Sequence, residues 1–133
     1  KRVGKNNKEF TIYKFRSMCV GAEQQGSGVY SGKGDARVTP IGKIIRATSI
    51  DELPQLFNIL CGDMSIVGPR PEREVFYNEF EEYIDGFSQR LCVKPGLSGL
   101  AQISGGYDLA PEQKLLYDLE YIKKRGFWFD III

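Results

Sequence analysis

The stretch RATSIDELPQLFNILCGDMSIVGPRPERE, residues 46–74, decides how this chain is read. Leu53, Leu56, Phe57 and Leu60 recur at i, i+3, i+4 and i+7, the spacing of one apolar helix face turned toward a core, and Gly62 marks its end. Asp51 and Glu52 stand at its start. Ser49 and Glu52 have the S-x-x-E spacing of a capping box. Pro54 argues for a slightly later start, because a proline beyond the first turn removes a hydrogen bond and crowds the turn before it. With either boundary the two acids are expected in the opening turn of a buried helix, where free N–H groups and the positive dipole end keep carboxylates ionised and attract phosphate.

Adjacent helical residues diverge by roughly 100°, so these two side chains do not share a proton and can instead divide labour. One ionised carboxylate can attack phosphorus while its neighbour holds Mg²⁺, a hard cation that takes oxygen ligands and substrate phosphates. Read alone, an Asp-Glu pair at a helix start is a structural cap. Arg70 adds a second element of chemistry. Pro69 and Pro71 have fixed φ, and the following proline pushes Arg70 into an extended conformation, a stiff mount for a bidentate grip on phosphate. From GPRP alone, a rigid turn with a solvated Arg is an equally complete account.

Upstream, EFTIYKFRSM (9–18) has the β-branched and aromatic content of a strand, with Phe10, Ile12, Lys14 and Arg16 on one face. Its two cations either serve a site or guard an edge strand. GAEQQGSGVYSGKGDAR (21–37) is a Gly/Ser-rich connection of a length that is usually mobile or functional. It is not a P-loop: the spacing before Gly32-Lys33 is wrong, and no Ser or Thr follows Lys33. TPIGKIIRATS predicts a short helix capped by Thr39 with Pro40 at its first position. Downstream, EREVFYNEFEEYIDGF predicts a helix burying Phe76, Phe80, Tyr83 and Ile84, and RLCVKPGLSGLAQISGG two short extended pieces about a Lys-Pro-Gly turn. APEQKLLYDLEYIKKRG predicts a helix through Leu115, Leu119 and Ile122, with Lys123, Lys124 and Arg125 at its negative end. The sum is an α+β class: a mainly helical small domain with a few short strands and long irregular connections, one domain over residues 1–133.

Composition limits the function. With 133 residues, 42% hydrophobic and 26% charged, the chain has room for one modest core. A net charge of +1 gives no overall attraction to nucleic acid, and no RNP, KH or zinc signature is present. Residues 1–18 carry Lys1, Arg2, Lys5, Lys8, Lys14 and Arg16 against Glu9, which fits a phosphate or lipid surface and equally a solvated tail. Cys19, Cys61 and Cys92 form no CxxC pattern and fit a reducing setting. The sequence contains no histidine, which removes Ser-His-Asp, Cys-His and HExxH machinery and leaves carboxylates, Lys, Tyr and Cys. No run approaches the roughly 18 apolar residues of a membrane span. The missing initiator Met and the stop inside FWFDIII lead us to expect a piece of a longer protein.

In order, YKFRSM, IGKIIRATSIDELPQLFNIL, GDMSIVGPRP and KPGLSGLAQISG closely resemble the bacterial sugar transferases, the monotopic phosphoglycosyl transferases that start exopolysaccharide, O-antigen or glycan assembly. The resemblance runs through nearly the whole chain. It implies a Mg²⁺-dependent exchange at the cytoplasmic face of the bacterial inner membrane. The family's aspartate, matched by Asp51, attacks the β-phosphate of a UDP-sugar; UMP leaves, and polyprenyl (undecaprenyl) phosphate then takes the phosphosugar from the aspartate. Glu52 matches the partner acid, and the two together are the implied metal site. Lys14, Arg46 and Arg70 match cationic partners of phosphate or carboxylate, and Asp118 a further site member. Implied partners are the membrane surface and other polysaccharide-assembly enzymes, not nucleic acid. The amino-terminal membrane segment of such proteins has no counterpart here. SGGYD (104–108) stands where many members have GRN, which bears on nucleotide or sugar specificity and leans toward the exopolysaccharide branch. The reading kept beside catalysis is a non-catalytic assembly or regulatory domain of a polysaccharide-synthesis complex.

Overall fold

The computed structural model describes residues 1–22, 35–106 and 109–133. Along the chain run β1 (Arg2–Val3), β2 (Glu9–Phe10), α1 (Pro40–Ala47), α2 (Gln55–Leu60), β3 (Ser65–Val67), α3 (Glu74–Glu81), β4 (Gly96–Ser98), α4 (Leu100–Gly105), α5 (Pro111–Lys124) and α6 (Phe127–Ile132). Single 3₁₀ turns occupy Lys5–Asn7 and Ile50–Glu52, and a longer 3₁₀ segment Phe87–Cys92. This is the α+β class expected from the sequence, helices dominating two two-stranded sheets. The chain divides into two compact units: Lys1–Ile12 with Gln55–Ile133, and Tyr13–Pro54.

In the larger unit, β1 and β2 pair antiparallel and β3 and β4 pair parallel, Ser65 opposite Gly96 and Val67 opposite Ser98. The β3–β4 seam is closed by glycines: a Cβ on Gly68 would lie 2.6 Å from the Lys94 carbonyl oxygen, so no larger residue fits that approach. Val3, Tyr77, Phe80, Ile84, Phe87 and Leu115 form the core, with Phe76, Leu91 and Leu119 packed against it. Phe80 meets Phe87 edge to face at 5.1 Å between ring centroids. Helix α3 departs from expectation at two positions: Tyr77, within it, is buried, and Tyr83 is exposed because α3 stops at Glu81 and the chain no longer follows its face. Helix α5 buries Leu115 as expected, but Leu119 and Ile122 are only half-buried, and its other buried positions are Asp118 and Tyr121. RLCVKPGLSGLAQISGG contains one strand, not two; Leu100–Gly105 continues as α4.

Helix α2 reverses the sequence expectation. Leu56, Phe57 and Leu60 are exposed, Leu60 at 84%, as is Leu53 just before the helix, while Gln55 and Asn58 are buried. The buried side is fixed by hydrogen bonding: Asn58 Nδ2 donates to the Thr11 carbonyl at 2.8 Å, and the Asn58 carbonyl accepts from the N–H groups of Asp63 and Met64. An apolar stripe has the same period whether it faces a core or something outside the protein, so periodicity alone did not distinguish them.

In the smaller unit, Thr39 caps α1 as expected, its Oγ1 accepting from the Gly42 N–H at 2.9 Å, with Pro40 at the first helical position. Among the described residues, pairing through EFTIYKFRSM is confined to β2 and an isolated bridge between Met18 and Val38. Between them the backbone makes single bonds in place of a ladder: the Phe15 N–H to the Asp51 carbonyl at 3.0 Å and the Thr39 N–H to the Ser17 carbonyl at 3.1 Å. The Gly/Ser-rich connection at 23–34, including Lys33, lies outside the described residues.

Candidate active site

The dyad occupies the 3₁₀ turn Ile50–Glu52, closed by Glu52 N–H to the Ser49 carbonyl at 3.1 Å and Leu53 N–H to the Ile50 carbonyl at 3.2 Å. This corrects the expected opening turn of the buried helix. Pro54 separates the turn from α2, and Ser49, at φ 56° in the left-handed region, makes no side-chain cap, so the capping box does not form. A single 3₁₀ turn has little macrodipole, and the local charge must come from side chains.

Asp51 and Glu52 are 7% and 8% exposed. Lys14 Nζ lies 2.8 Å from Glu52 Oε1, and the backbone bond from Phe15 to Asp51 ties the lysine's segment to the turn. Among the described residues no hydrogen bond or ion pair engages the Asp51 carboxylate. Among the described residues the two adjacent acids are thus held differently, Glu52 beside a cation and Asp51 with no side-chain partner. Arg46 projects from α1 and donates through Nε to Ser17 Oγ at 2.8 Å. The approach of α1 to this segment depends on Gly42, whose absent Cβ would collide with the Ser17 main-chain carbonyl. The smaller unit thus pairs Lys14 with Glu52, next to Asp51, and Arg46 with Ser17. Ser17 was not singled out from sequence, although it lies inside the quoted YKFRSM.

Arg70 and Asp118 belong to the larger unit. Arg70 is half-buried, and its carbonyl accepts from Arg90 Nη2 at 2.9 Å. Arg90 and Asp118 form an ion pair at 2.7 Å with both side chains 1% exposed. The Arg90 guanidinium also lies 4.9 Å from the Phe87 ring centroid and 5.8 Å from that of Tyr77. Burial pushes the Asp118 carboxyl up to about 6, with Arg90 pulling it back down. Asp118 thus reaches the Pro69–Arg70–Pro71 turn through Arg90, which the sequence reading passed over. A pair 28 positions apart in sequence leaves no periodic signal. In SGGYD, Tyr107 and Asp108 lie outside the described residues.

For Mg²⁺, the donor chemistry fits: two buried carboxylates, one of them with an oxygen 2.8 Å from Lys14 Nζ, are hard oxygen ligands. Among the described residues no group of three or more His, Cys, Asp or Glu gathers.

A family model described as bacterial sugar transferase matches residues 1–133. The chain belongs to the bacterial sugar transferase family. A UDP-N-acetylgalactosamine-undecaprenyl-phosphate N-acetylgalactosaminephosphotransferase of Aeromonas hydrophila is 48% identical over 135 residues, 99% of this chain and 32% of the relative. A UDP-glucose:undecaprenyl-phosphate glucose-1-phosphate transferase of Xanthomonas campestris is 41% identical over 138 residues, 100% and 28% of the two chains. An undecaprenyl-phosphate galactose phosphotransferase of Salmonella typhimurium is 40% identical over 146 residues, 99% and 30%. This sugar transferase chain spans about a third of the length of these relatives.

Proposed function

We propose that this chain catalyses transfer of a sugar 1-phosphate from a UDP-sugar to polyprenyl phosphate, with Asp51 as the nucleophile. The observation that carries the reading is the unequal treatment of the dyad: Lys14 engages Glu52, and Asp51 has no competing partner among the described residues. The names of the relatives, which act on undecaprenyl phosphate, support the acceptor class.

In the first half-reaction an Asp51 carboxylate oxygen forms a bond to the β-phosphorus of the donor, and the bond from that phosphorus to the bridging oxygen breaks, releasing UMP. In the second, an oxygen of polyprenyl phosphate bonds to the same phosphorus and the aspartyl ester breaks, restoring the carboxylate. Such transfer depends chiefly on positioning and charge neutralisation. Lys14 fixes Glu52 and brings positive charge to the turn, while Arg46 and Arg70 are assigned to phosphate oxygens. Asp118 acts through Arg90, holding the Arg70 backbone. Asp51 and Glu52 would hold Mg²⁺, which supplies further neutralisation of phosphate charge.

We place the protein at the cytoplasmic face of the bacterial inner membrane, beside other polysaccharide-assembly enzymes. Exposed apolar side chains support a membrane contact: Ile41 and Ile44 on α1, Leu56, Phe57 and Leu60 on α2, and Phe127, Trp128, Ile131 and Ile132 on α6. Among the described residues no helix is long and apolar enough to cross a membrane. The deciding experiment is Asp51→Asn in the full-length, membrane-inserted protein. The variant should lose UMP release and the phosphosugar adduct seen by mass spectrometry in the parent. Normal turnover by the variant refutes the assignment, and donor binding without any exchange by the parent favours the assembly-domain reading.

A further inference from the structure

The turn Pro69–Arg70–Pro71 is fastened within the larger unit by bonds of two kinds. The Pro69 carbonyl accepts from the Gly96 N–H at 2.9 Å and the Glu72 carbonyl from the Val3 N–H at 3.0 Å, backbone bonds that proton uptake by side chains leaves intact. The two prolines bring no N–H of their own. Between these anchors the Arg70 carbonyl accepts from a side chain, Arg90 Nη2 at 2.9 Å, and the same nitrogen lies 2.7 Å from Asp118 Oδ2. Nε and Nη1 of Arg90 are buried without a hydrogen-bond partner among the described residues. A single nitrogen therefore links a carboxylate of α5 to the backbone of Arg70, and no second donor of Arg90 fastens the guanidinium there.

We propose that the charge on Asp118 sets the placement of Arg70, so that donor binding weakens when this buried pair takes up a proton. The proposal rests on the assignment of Arg70 to donor phosphate and adds a regulation of that site, with Arg90 as its positioning residue. The groups that face Asp118 are Arg90 from the 3₁₀ segment, Glu72 from the end of the turn, Tyr77 from α3 and Lys114 from α5 itself. Burial pushes the Asp118 carboxyl from 3.8 up to about 6, Arg90 and Lys114 pulling it down and Glu72 pushing it further up. Burial also pushes the Tyr77 hydroxyl up to about 12, so it stays neutral. The charge of Asp118 therefore changes in mildly acidic solution, where the guanidinium keeps its own. Once neutral, Asp118 no longer balances Arg90, and the other acid facing Arg90 is Glu72, just beyond Pro71. Turning toward Glu72 draws Nη2 away from the Arg70 carbonyl. The flanking prolines make the turn stiff, so the displacement carries the whole of Arg70 with it, and a small misplacement of a phosphate-holding group weakens its grip.

The test follows the burst of UMP release, without acceptor, by the full-length, membrane-inserted protein between pH 5 and pH 7.5. The diphosphate of a UDP-sugar has no group that titrates in this range. From pH 7.5 to pH 5 the half-saturating donor concentration should rise about tenfold with a midpoint near pH 6, the loss of one charge-assisted phosphate contact, while the maximal burst rate changes less. Asp118→Asn, neutral at every pH, should show the raised concentration throughout and no midpoint; a limb belonging to the dyad persists in this variant and is told apart by it. A second readout needs no variant. In the 133-residue chain the Arg70 N–H resonance should move with a midpoint near pH 6, and by more than those of Val3 and Gly96, whose backbone bonds do not change. A half-saturating concentration flat over this range, a midpoint unaltered in Asp118→Asn shown by circular dichroism to be folded, or an Arg70 resonance that moves no more than those of Val3 and Gly96 each overturns the proposal and leaves the transfer reaction standing. A half-saturating concentration in Arg70→Gln equal to the parent's removes Arg70 from the donor phosphate and overturns that assignment together with the proposal.

Discussion

Replacing Arg90 with methionine removes the charge at the centre of the buried Arg90–Asp118 cluster while keeping much of the side-chain volume. The native guanidinium holds Asp118 at 2.7 Å, donates to the Arg70 carbonyl at 2.9 Å and covers the Phe87 ring. Methionine retains the ring contact and nothing else, leaving a carboxylate in a site 1% exposed. Removing one partner of a buried ion pair costs about 3–5 kcal/mol, which for a domain of this size lowers the melting temperature by about 10–20 °C. Proton uptake limits that loss. Burial already raises the Asp118 carboxyl from 3.8 to about 6 against the pull of Arg90, so without Arg90 it rises further. A carboxyl with a raised folded-state value favours the fold fully below its unfolded value of 3.8, and that contribution is lost as pH rises through the folded value. The variant therefore loses it at higher pH than the parent, and the gap between them is widest at alkaline pH and narrows toward pH 6, about the parent's own value. Urea unfolding followed by circular dichroism at pH 8 and pH 5.5 measures both features. A loss under about 1 kcal/mol at pH 8, or a gap independent of pH, refutes the ion-pair account. Arg90→Lys, which keeps the charge but not the planar fork, should fall between the two.

Lys14→Met should leave the fold intact and lower UMP release by about 100-fold, because Glu52 loses its counter-charge and the dyad its fixed position; turnover equal to the parent removes Lys14 from the site. Combined Phe57→Ser and Leu60→Ser should change stability by less than about 0.5 kcal/mol, both side chains being exposed. The same double variant should float less with anionic liposomes, whereas a large loss of stability or unchanged flotation contradicts a membrane-facing α2. Chelation with EDTA should stop UMP release and added Mg²⁺ restore it; metal-independent turnover removes the ion from the proposed chemistry.

Local chemistry was legible in the sequence, and long-range chemistry was not. Thr39 and Pro40 announced α1 because a cap involves only the first turn, and α5 was announced as a helix although its buried face runs from Leu115 to Asp118 and Tyr121 rather than to Leu119 and Ile122. Asp51 and Glu52 were expected in the opening turn of the buried helix and instead form a separate 3₁₀ turn after a left-handed Ser49, tied by its backbone to Phe15 far back in the chain. For α2 the period was right and the direction reversed, because Asn58 finds its partner at Thr11, far back in the chain. The same limit hid Arg90, whose partners lie at Arg70 and Asp118. Where a side chain's role depends on a distant partner, residue type alone carries no address for it.

The 3₁₀ turn offers a physical reason for using adjacent acids in a site without histidine. Consecutive residues in such a turn point roughly 120° apart, so a cation that reaches one carboxylate does not automatically cover the next. Lys14 reaches Glu52 and is fastened there by the bond between the Phe15 N–H and the Asp51 carbonyl, a contact made by the backbone of Asp51 and not by its side chain. Fixing the lysine therefore costs Asp51 none of its carboxylate oxygens. In an α-helical opening turn, free N–H groups would compete for those oxygens and make the carboxylate a weaker nucleophile. By interrupting the helix at Pro54, the chain keeps a cation close to the dyad while leaving the carboxylate of Asp51, the nucleophile we propose, without a hydrogen bond among the described residues that it would have to give up.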